Sequence, residues 1–329
     1  ATQQEAMDLL FKLQAAGDGG QVGERLTRES VIKAGVSPDG LHWRHLEEPL
    51  IRPGLPLDTQ NILAYDPDLR KYVVYVRSQR ARRRAVSRCE ATEFHGEWTH
   101  PQTVLSIEPD DPPDCDIYAP CYCRHPHGPH LMFYSLYHRA SDLIDVCLAI
   151  SHDGVTWCRP ERKPVIPLRG RYGTLYPAPE LVPLAEDRWG LLTLACPHPH
   201  NRNSAEPSEY FWAMWKRDRL VALKAGDYAE FALTEQDCAG GQLSLNVKTH
   251  QPGGFVKVEI VDGGLPNRAG AALPSGLPGY TFEECDPVSG DQLDAVVGWR
   301  GRTDLSPLRG KKIHLRLRMA RAELFAITM

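Results

Sequence analysis

No stretch of this chain approaches the roughly 18 uninterrupted apolar residues that would carry a helix through a bilayer, so no membrane partner is expected. Charge of one sign is also missing. There are 38 basic and 42 acidic residues, a formal net charge of −4, which gives no general electrostatic reason to bind nucleic acid. There is no Gly-rich phosphate loop and no Gly-x-Ser-x-Gly elbow, which leaves out the nucleotide and serine-nucleophile chemistries those motifs serve. No nucleotide, metal or other cofactor is expected. The first residues, ATQQEAMDLLFKLQ, have neither the basic start nor the apolar run of a secretory signal, and no initiator Met precedes them. The compartment is therefore open between the cytoplasm and an export route whose signal is not in this chain. Nine cysteines, an odd number at irregular spacings, do not make a disulfide framework, and reduced thiols are expected.

What is present is punctuation. The 329 residues hold 27 glycines and 27 prolines spread along the chain, a density that suits many short strands better than long helices. One motif is written twice, SPDGLHW at 37–43 and SHDGVTW at 151–157. Each follows an apolar strand and leads through a polar link to a Pro-aliphatic strand. An Asp accepting backbone N–H bonds, a Gly at a φ that other residues resist and a Trp covering the gap to a neighbouring sheet make a structural turn. The motif therefore reports fold rather than chemistry. A degenerate copy ends on Trp98 and a weaker one on Trp212 or Trp215, so the tryptophans recur about every 55–60 residues, the interval of propeller blades.

Between the tryptophans lie three hairpin patterns, at 58–77, 116–138 and 173–195, with strands on both sides of a polar turn. In a propeller the first strand of each blade lines the central channel. The spacing leaves room for about four blades up to residue 221, and a leading blade is expected upstream of residue 1. From 222 to 329 the pattern becomes period-two alternation broken by Gly, Pro and Asp, which predicts an antiparallel β-sandwich. The carboxylates of GYTFEECDPVSGD read as solvated turn residues there. The fold class is all-β: a propeller of the five-bladed type lacking its first blade, followed by a C-terminal sandwich.

The stretch from Ser37 to the end resembles the superfamily of five-bladed β-propeller glycosidases that holds fructosidases and arabinanases (families 32, 43 and 68). It is similar above all to family-32-like proteins that join a propeller to a sandwich. The resemblance is carried by SPDGLHW, DTQNILAYDPDLRKYVVYVR and SHDGVTW. It continues through WKRDRLVALKAG, GQLSLNVKT and YTFEECDPVSGD to VVGWRGRTDLSPLRGKKIHLRLRMARAELFAI. It implies a glycoside hydrolase with a carbohydrate substrate and axial carboxylates drawn from different blades, since glycoside cleavage passes through a cationic sugar. Asp58 opens one inner strand, with Asn61 placed to meet a sugar hydroxyl, and Asp116 stands at the equivalent place in the next blade. These two would stabilise the cation or act as base or nucleophile. Glu180 in YPAPELV would supply the proton, although it lies three residues past the register of the family glutamate, which falls on Pro177. An odd offset along a strand faces the other way.

Arg77, Tyr118 and Tyr176 would shape the sugar site, with His198, His200 and Asn201 from CPHPHNRN. The rest of the basic run RSQRARRRAVSR at 77–88 reads as a solvated hairpin turn, while Arg77, at a strand end, could meet an anionic group at the rim. Cys115, Cys121, Cys123, His125, His127 and His130 cluster in sequence, but their spacings fit no usual zinc template. Two further readings stay open: a non-catalytic glycan-binding protein, and a glycoside phosphorylase. A hydrolase needs two pocket carboxylates about 5–9 Å apart. A binder would show one carboxylate flanked by aromatics, and a phosphorylase a basic cluster beside the acid. Self-association is open as well.

Overall fold

The computed structural model describes residues 30–52, 54, 57–126, 128–202, 205–262 and 274–329. Among them there is no α-helix, one 3-10 turn at Ser306–Leu308 and otherwise strands. No helix is long and apolar enough to cross a membrane among the described residues. The described residues fall into two compact units, those up to 182 with those of 190–214, and 183–189 with those from 215 onward.

The first unit opens with a small hairpin, β1 (Gly35–Val36) and β2 (Arg44–His45), whose turn is SPDGLHW. Then come β3 (Ile62–Asp66), β4 (Lys71–Arg80), β5 (Arg83–Ala91) and β6 (Gln102–Leu105), paired in that order as a four-stranded antiparallel sheet. Five valines and three tyrosines lie in these strands, and branched and aromatic side chains pack well on a pleated surface. The β4–β5 hairpin closes through Ala81 and Arg82 at φ 49° and 61°, and two successive positive φ values match the twist of the flanking strands. A second sheet follows, built from β7 (Cys115–Ala119), β8 (Tyr122–Arg124), β9 (His130–His138), β10 (Leu143–Ser151), β11 (Thr174–Pro177), β12 (Val182–Leu184), β13 (Arg188–Cys196) and β14 (Glu209–Lys216). Its order runs β13-β11-β10-β9-β7, with β8 also on β9 and β14 on β13.

The three hairpins expected from the sequence correspond to β3–β4, to β7 and β8 with β9, and to β11–β13. The two sheets share a core in which Val73, Tyr75 and Val86 pack with Ile117, Tyr122, Met132 and Tyr134. The second SxDGxxW turn follows β10 directly. Trp98 lies between β5 and β6, half-buried against a core of Ile51, Val74, Val76 and Cys89. Trp212 differs from the turn position expected for it, because it lies inside β14 and is exposed.

The second unit holds two four-stranded antiparallel sheets. One is β15 (Leu223–Ala225), β22 (Ala322–Thr328), β18 (Ser244–Thr249) and β20 (Asp291–Val296), and the other is β16 (Ala229–Ala232), β21 (Lys312–Ala320), β17 (Gln236–Asp237) and β19 (Phe255–Asp262). Alternate residues of both sheets, among them Leu245, Val247, Val258, Ile260, Leu315, Leu317 and Leu324, meet in one apolar core with Trp299. The loop carboxylates work as turn acceptors, Glu284 for the Gly279 N–H at 2.7 Å and Asp286 for the Gly301 N–H at 2.9 Å. All nine cysteines are free thiols, and Cys158 is exposed where the others are buried.

Candidate functional site

In the first unit, four of the residues singled out from sequence meet at one wall, and they come from three separate segments. Tyr118 is the starting point. The register between β7 and β9 slips between Ile117 and Ala119, so Tyr118 is the extra residue of a bulge, a device that re-aims a side chain. Its ring centroid lies 4.6 Å from that of His200, 6.1 Å from Tyr176 and 6.0 Å from Tyr137. Tyr176 Oη and His200 Nδ1 are 2.9 Å apart. Asn201 reaches Tyr137 Oη with its amide at 3.2 Å.

Asp142 ties the loop that carries His200 and Asn201 to the β9–β10 turn. Its carboxylate accepts from Tyr137 Oη at 2.6 Å, from the Asn201 amide at 2.6 Å and from the Asn201 backbone N–H at 2.8 Å, and its carbonyl accepts the His200 N–H. The Tyr137 hydroxyl holds the Asp142 carboxyl below the usual range. Burial, and then the Asp142 carboxylate, push the Tyr137 phenol up. Burial also pushes Tyr176 up, and burial followed by the Arg84 cation pulls His200 down. These shifts favour the neutral forms of the Tyr137 and Tyr176 phenols and of the His200 imidazole.

Asp116 shares strand β7 with Tyr118 and pairs in register with Tyr137. It is almost fully buried. One carboxylate oxygen lies 2.8 Å from Arg139 Nε and the other 3.2 Å from Arg83 Nε. A buried carboxylate between two guanidiniums is compensated in charge. Asp58 is different. Its side chain is 75% exposed and pairs with Arg77, which is buried. The Asn61 carbonyl oxygen accepts the Arg77 backbone N–H at 3.1 Å, and the Asn61 amide is held by Leu57 O and Thr59 O. The Gln60 amide donates to Pro177 O at 3.2 Å, which joins the segment carrying Asp58 to the residue after Tyr176.

Asp58, Asn61 and Arg77 form their own group, and His198 and Glu180 also stay outside this wall. His198 turns its Nδ1 to the neighbouring Pro199 O at 3.0 Å. Glu180 sits on an exposed turn at φ 99°, with its backbone N–H at Cys123. Cys123 pairs with Leu131, and Asp116 with Tyr137. The run of β9 between those partners measures about 20 Å at the rise of an antiparallel strand, so the structure does not bring Glu180 to Asp116.

Sequence reasoning missed Arg83, Arg84, Tyr137, Arg139 and Asp142. A signal for Tyr137 existed, since it lies near the end of the aromatic run LMFYSLYH that closes the 116–138 hairpin pattern. The basic run is no solvated turn as a whole. Arg80 and Arg82 are exposed, whereas Arg83 and Arg84 are half-buried and Arg88 is buried against Glu90. Arg84 lies over the Tyr118 ring, 4.3 Å from its centroid.

Among the described residues, Asp114, Cys115 and His138 bring one potential metal-ligating atom each within 4.8 Å of one another. Cys115 Sγ and His138 Nδ1 are 3.2 Å apart, and His138 Nε2 meets Asp145 at 3.2 Å. Burial pushes the Cys115 thiol up to about 12. Of the sequence cluster of cysteines and histidines, Cys121 donates to Ala178 O and His130 meets Tyr122 Oη, while His127 lies outside the described residues.

No protein-family model matches the chain, and no curated protein matches it in sequence. Solved structures do. One is the BT0996 RGII complex, at 15% identity over 56% of this protein and 61% of that one, with a TM-score of 0.38. The sucrose-6-phosphate hydrolase from Lactobacillus gasseri matches at 10% identity over 88% of this protein and 84% of its own length, TM-score 0.36. The Bombyx mori GH32 β-fructofuranosidase BmSUC1 matches at 10% identity over 89% and 71%, TM-score 0.38. The match spans 61% of the length of the first of these.

Proposed function

We propose that the first unit is a propeller module acting on carbohydrate as a glycoside hydrolase, with the second unit as an accessory sandwich. The observation that supports this reading most is the meeting of Tyr118, Tyr176, His200 and Asn201 at one wall beside Asp116. Aromatic faces and fixed polar groups of this kind suit sugar rings, which present C–H faces and hydroxyl edges. In this reading Asp58, the more exposed carboxylate, acts as base or nucleophile. Asp116 stabilises the developing cation.

One set of observations favours a second reading, glycan binding without turnover. Asp58 and Asp116 both carry arginine partners, and Glu180 sits at Cys123 rather than at the wall. A hydrolysis screen of the full chain against aryl glycosides and natural oligosaccharides separates the two. The hydrolase reading expects turnover that falls by about 100-fold or more in Asp58→Asn and Asp116→Asn, with thermal unfolding retained, and little change in Glu180→Gln, which lies outside the wall. Absence of turnover on every sugar, with and without phosphate, moves the assignment to the binding module.

A further inference from the structure

We infer that Arg84 receives an oxyanion of the ligand, a carboxylate or phosphate group, at the wall built on Tyr118. The inference rests on the carbohydrate reading of that wall and adds the charge of what binds there.

Four arginines stand around the wall and its neighbouring strand, and three are matched by carboxylates. Arg77 pairs with Asp58, and Arg83 and Arg139 share Asp116. Arg84 is not matched. Among the described residues no carboxylate lies within ion-pair range of it, and its Nη1 is buried with no hydrogen-bond partner. A donor on a permanently charged group seldom stays buried and unpaired, because the cost of taking it out of water is not recovered. Arg83 Nε, Arg88 Nη2 and Arg124 Nη1 are buried in the same way, but those arginines have carboxylates beside them, so the missing carboxylate is what sets Arg84 apart. Tyr118 holds the guanidinium in place from one side, at 4.3 Å. A stacked guanidinium keeps its N–H edge available for in-plane recognition, and that edge matches a carboxylate or phosphate with two parallel bonds.

The surroundings agree. The rings that contact Tyr118 are an imidazole and phenols, and at His200 the Arg84 cation acts against the Asp142 carboxylate, which pulls the other way. The carboxylates described at the wall, Asp116 and Asp142, are committed elsewhere, to two arginines and to Tyr137 with Asn201. A neutral sugar would leave Arg84 as it is. A sugar bearing a carboxylate or phosphate, or free phosphate bound beside the sugar, would complete it.

Calorimetric titration of the full chain tests this with three probes: a hexuronic acid trisaccharide, the same trisaccharide as its methyl ester, and inorganic phosphate. The acid is expected to bind the wild type about tenfold tighter than the ester, the worth of one charge-assisted hydrogen bond. Arg84→Gln is expected to lose that preference while its unfolding temperature stays put, and Arg84→Lys to recover part of it. Phosphate binding that vanishes in Arg84→Gln, with no binding of either sugar, keeps the oxyanion site and removes the carbohydrate reading. Equal binding of acid and ester, a preference that survives Arg84→Gln, or no binding of any probe overturns the inference. Equal binding of the two sugars leaves the carbohydrate reading standing. Should Arg84→Gln fail to fold, the wild-type comparison of acid with ester still decides.

Discussion

The two SxDGxxW turns are built alike and situated differently. In both, the Ser Oγ accepts the Gly N–H at 2.9 Å, and the Asp carboxylate accepts two backbone N–H groups, from Leu41 and His42 in one and from Val155 and Thr156 in the other. The Trp Nε1 donates to the Gly carbonyl at 3.0 Å and 3.2 Å. Yet Trp43 is 61% exposed, whereas Trp157 packs edge-on to Tyr75 with ring centroids 5.9 Å apart. The Tyr75 hydroxyl also donates to Gly154 O at 2.8 Å, and among the described residues no counterpart does this for Gly40. Seven residues determine the turn. What the turn contributes to stability depends on whether a neighbouring sheet is there to meet the Trp.

The largest difference between the copies is therefore expected at the tryptophans. Trp157→Ala should cost about 2–3 kcal/mol in denaturant unfolding, since it opens a gap beside Tyr75 and Tyr122. Trp43→Ala should stay within about 0.5 kcal/mol. Equal costs would break the comparison. The glycines come next. Both hold positive φ, 68° at Gly154 and 76° at Gly40, so Ala at either site incurs backbone strain of about 1 kcal/mol. A Cβ on Gly154 would also lie 2.7 Å from the Tyr75 hydroxyl, while one on Gly40 meets nothing within 4 Å. Gly154→Ala should thus be the more damaging of the two by thermal unfolding, and Gly40→Ala the milder.

The smallest difference is expected in acid. Backbone N–H groups, from Thr156 then Val155 in one turn and led by His42 in the other, hold Asp153 and Asp39 well below the usual carboxylate range. A carboxyl whose folded pKa is depressed contributes stability above its unfolded value, near 4, and loses it as pH falls through the folded value. Asp153→Asn should flatten the acid limb of the melting curve from about pH 4 downward. Asp39→Asn should leave that limb in place, because little packs on its turn. Matching shifts in both would show that the Asp acts through the turn alone.

Much of the fold was legible because its determinants are local. Alternation and turn residues at 58–77, 116–138 and 173–195 sufficed for hairpins, and Asp-Gly with a trailing Trp sufficed for the turns. The site was legible in part. Tyr118, Tyr176, His200 and Asn201 follow from their place at strand ends and in the loop after β13. The partners of Asp116 do not follow from sequence, because Arg83 reaches it from a different sheet and no local pattern states which sheets pack together. The same holds for Arg84 over Tyr118. Trp212 misled for the converse reason: a tryptophan at the right interval looks like a turn marker, but β14 continues straight through it.

Cys158 offers a natural handle. It is the exposed thiol among nine and follows Trp157 directly, with its backbone bridged to Ile150 of β10. A maleimide dye added to the unmodified chain should attach there first, since burial shields the other eight thiols. The label would then stand beside the tryptophan that meets Tyr75, and quenching between dye and indole would follow, in real time, how the turn after β10 opens and closes.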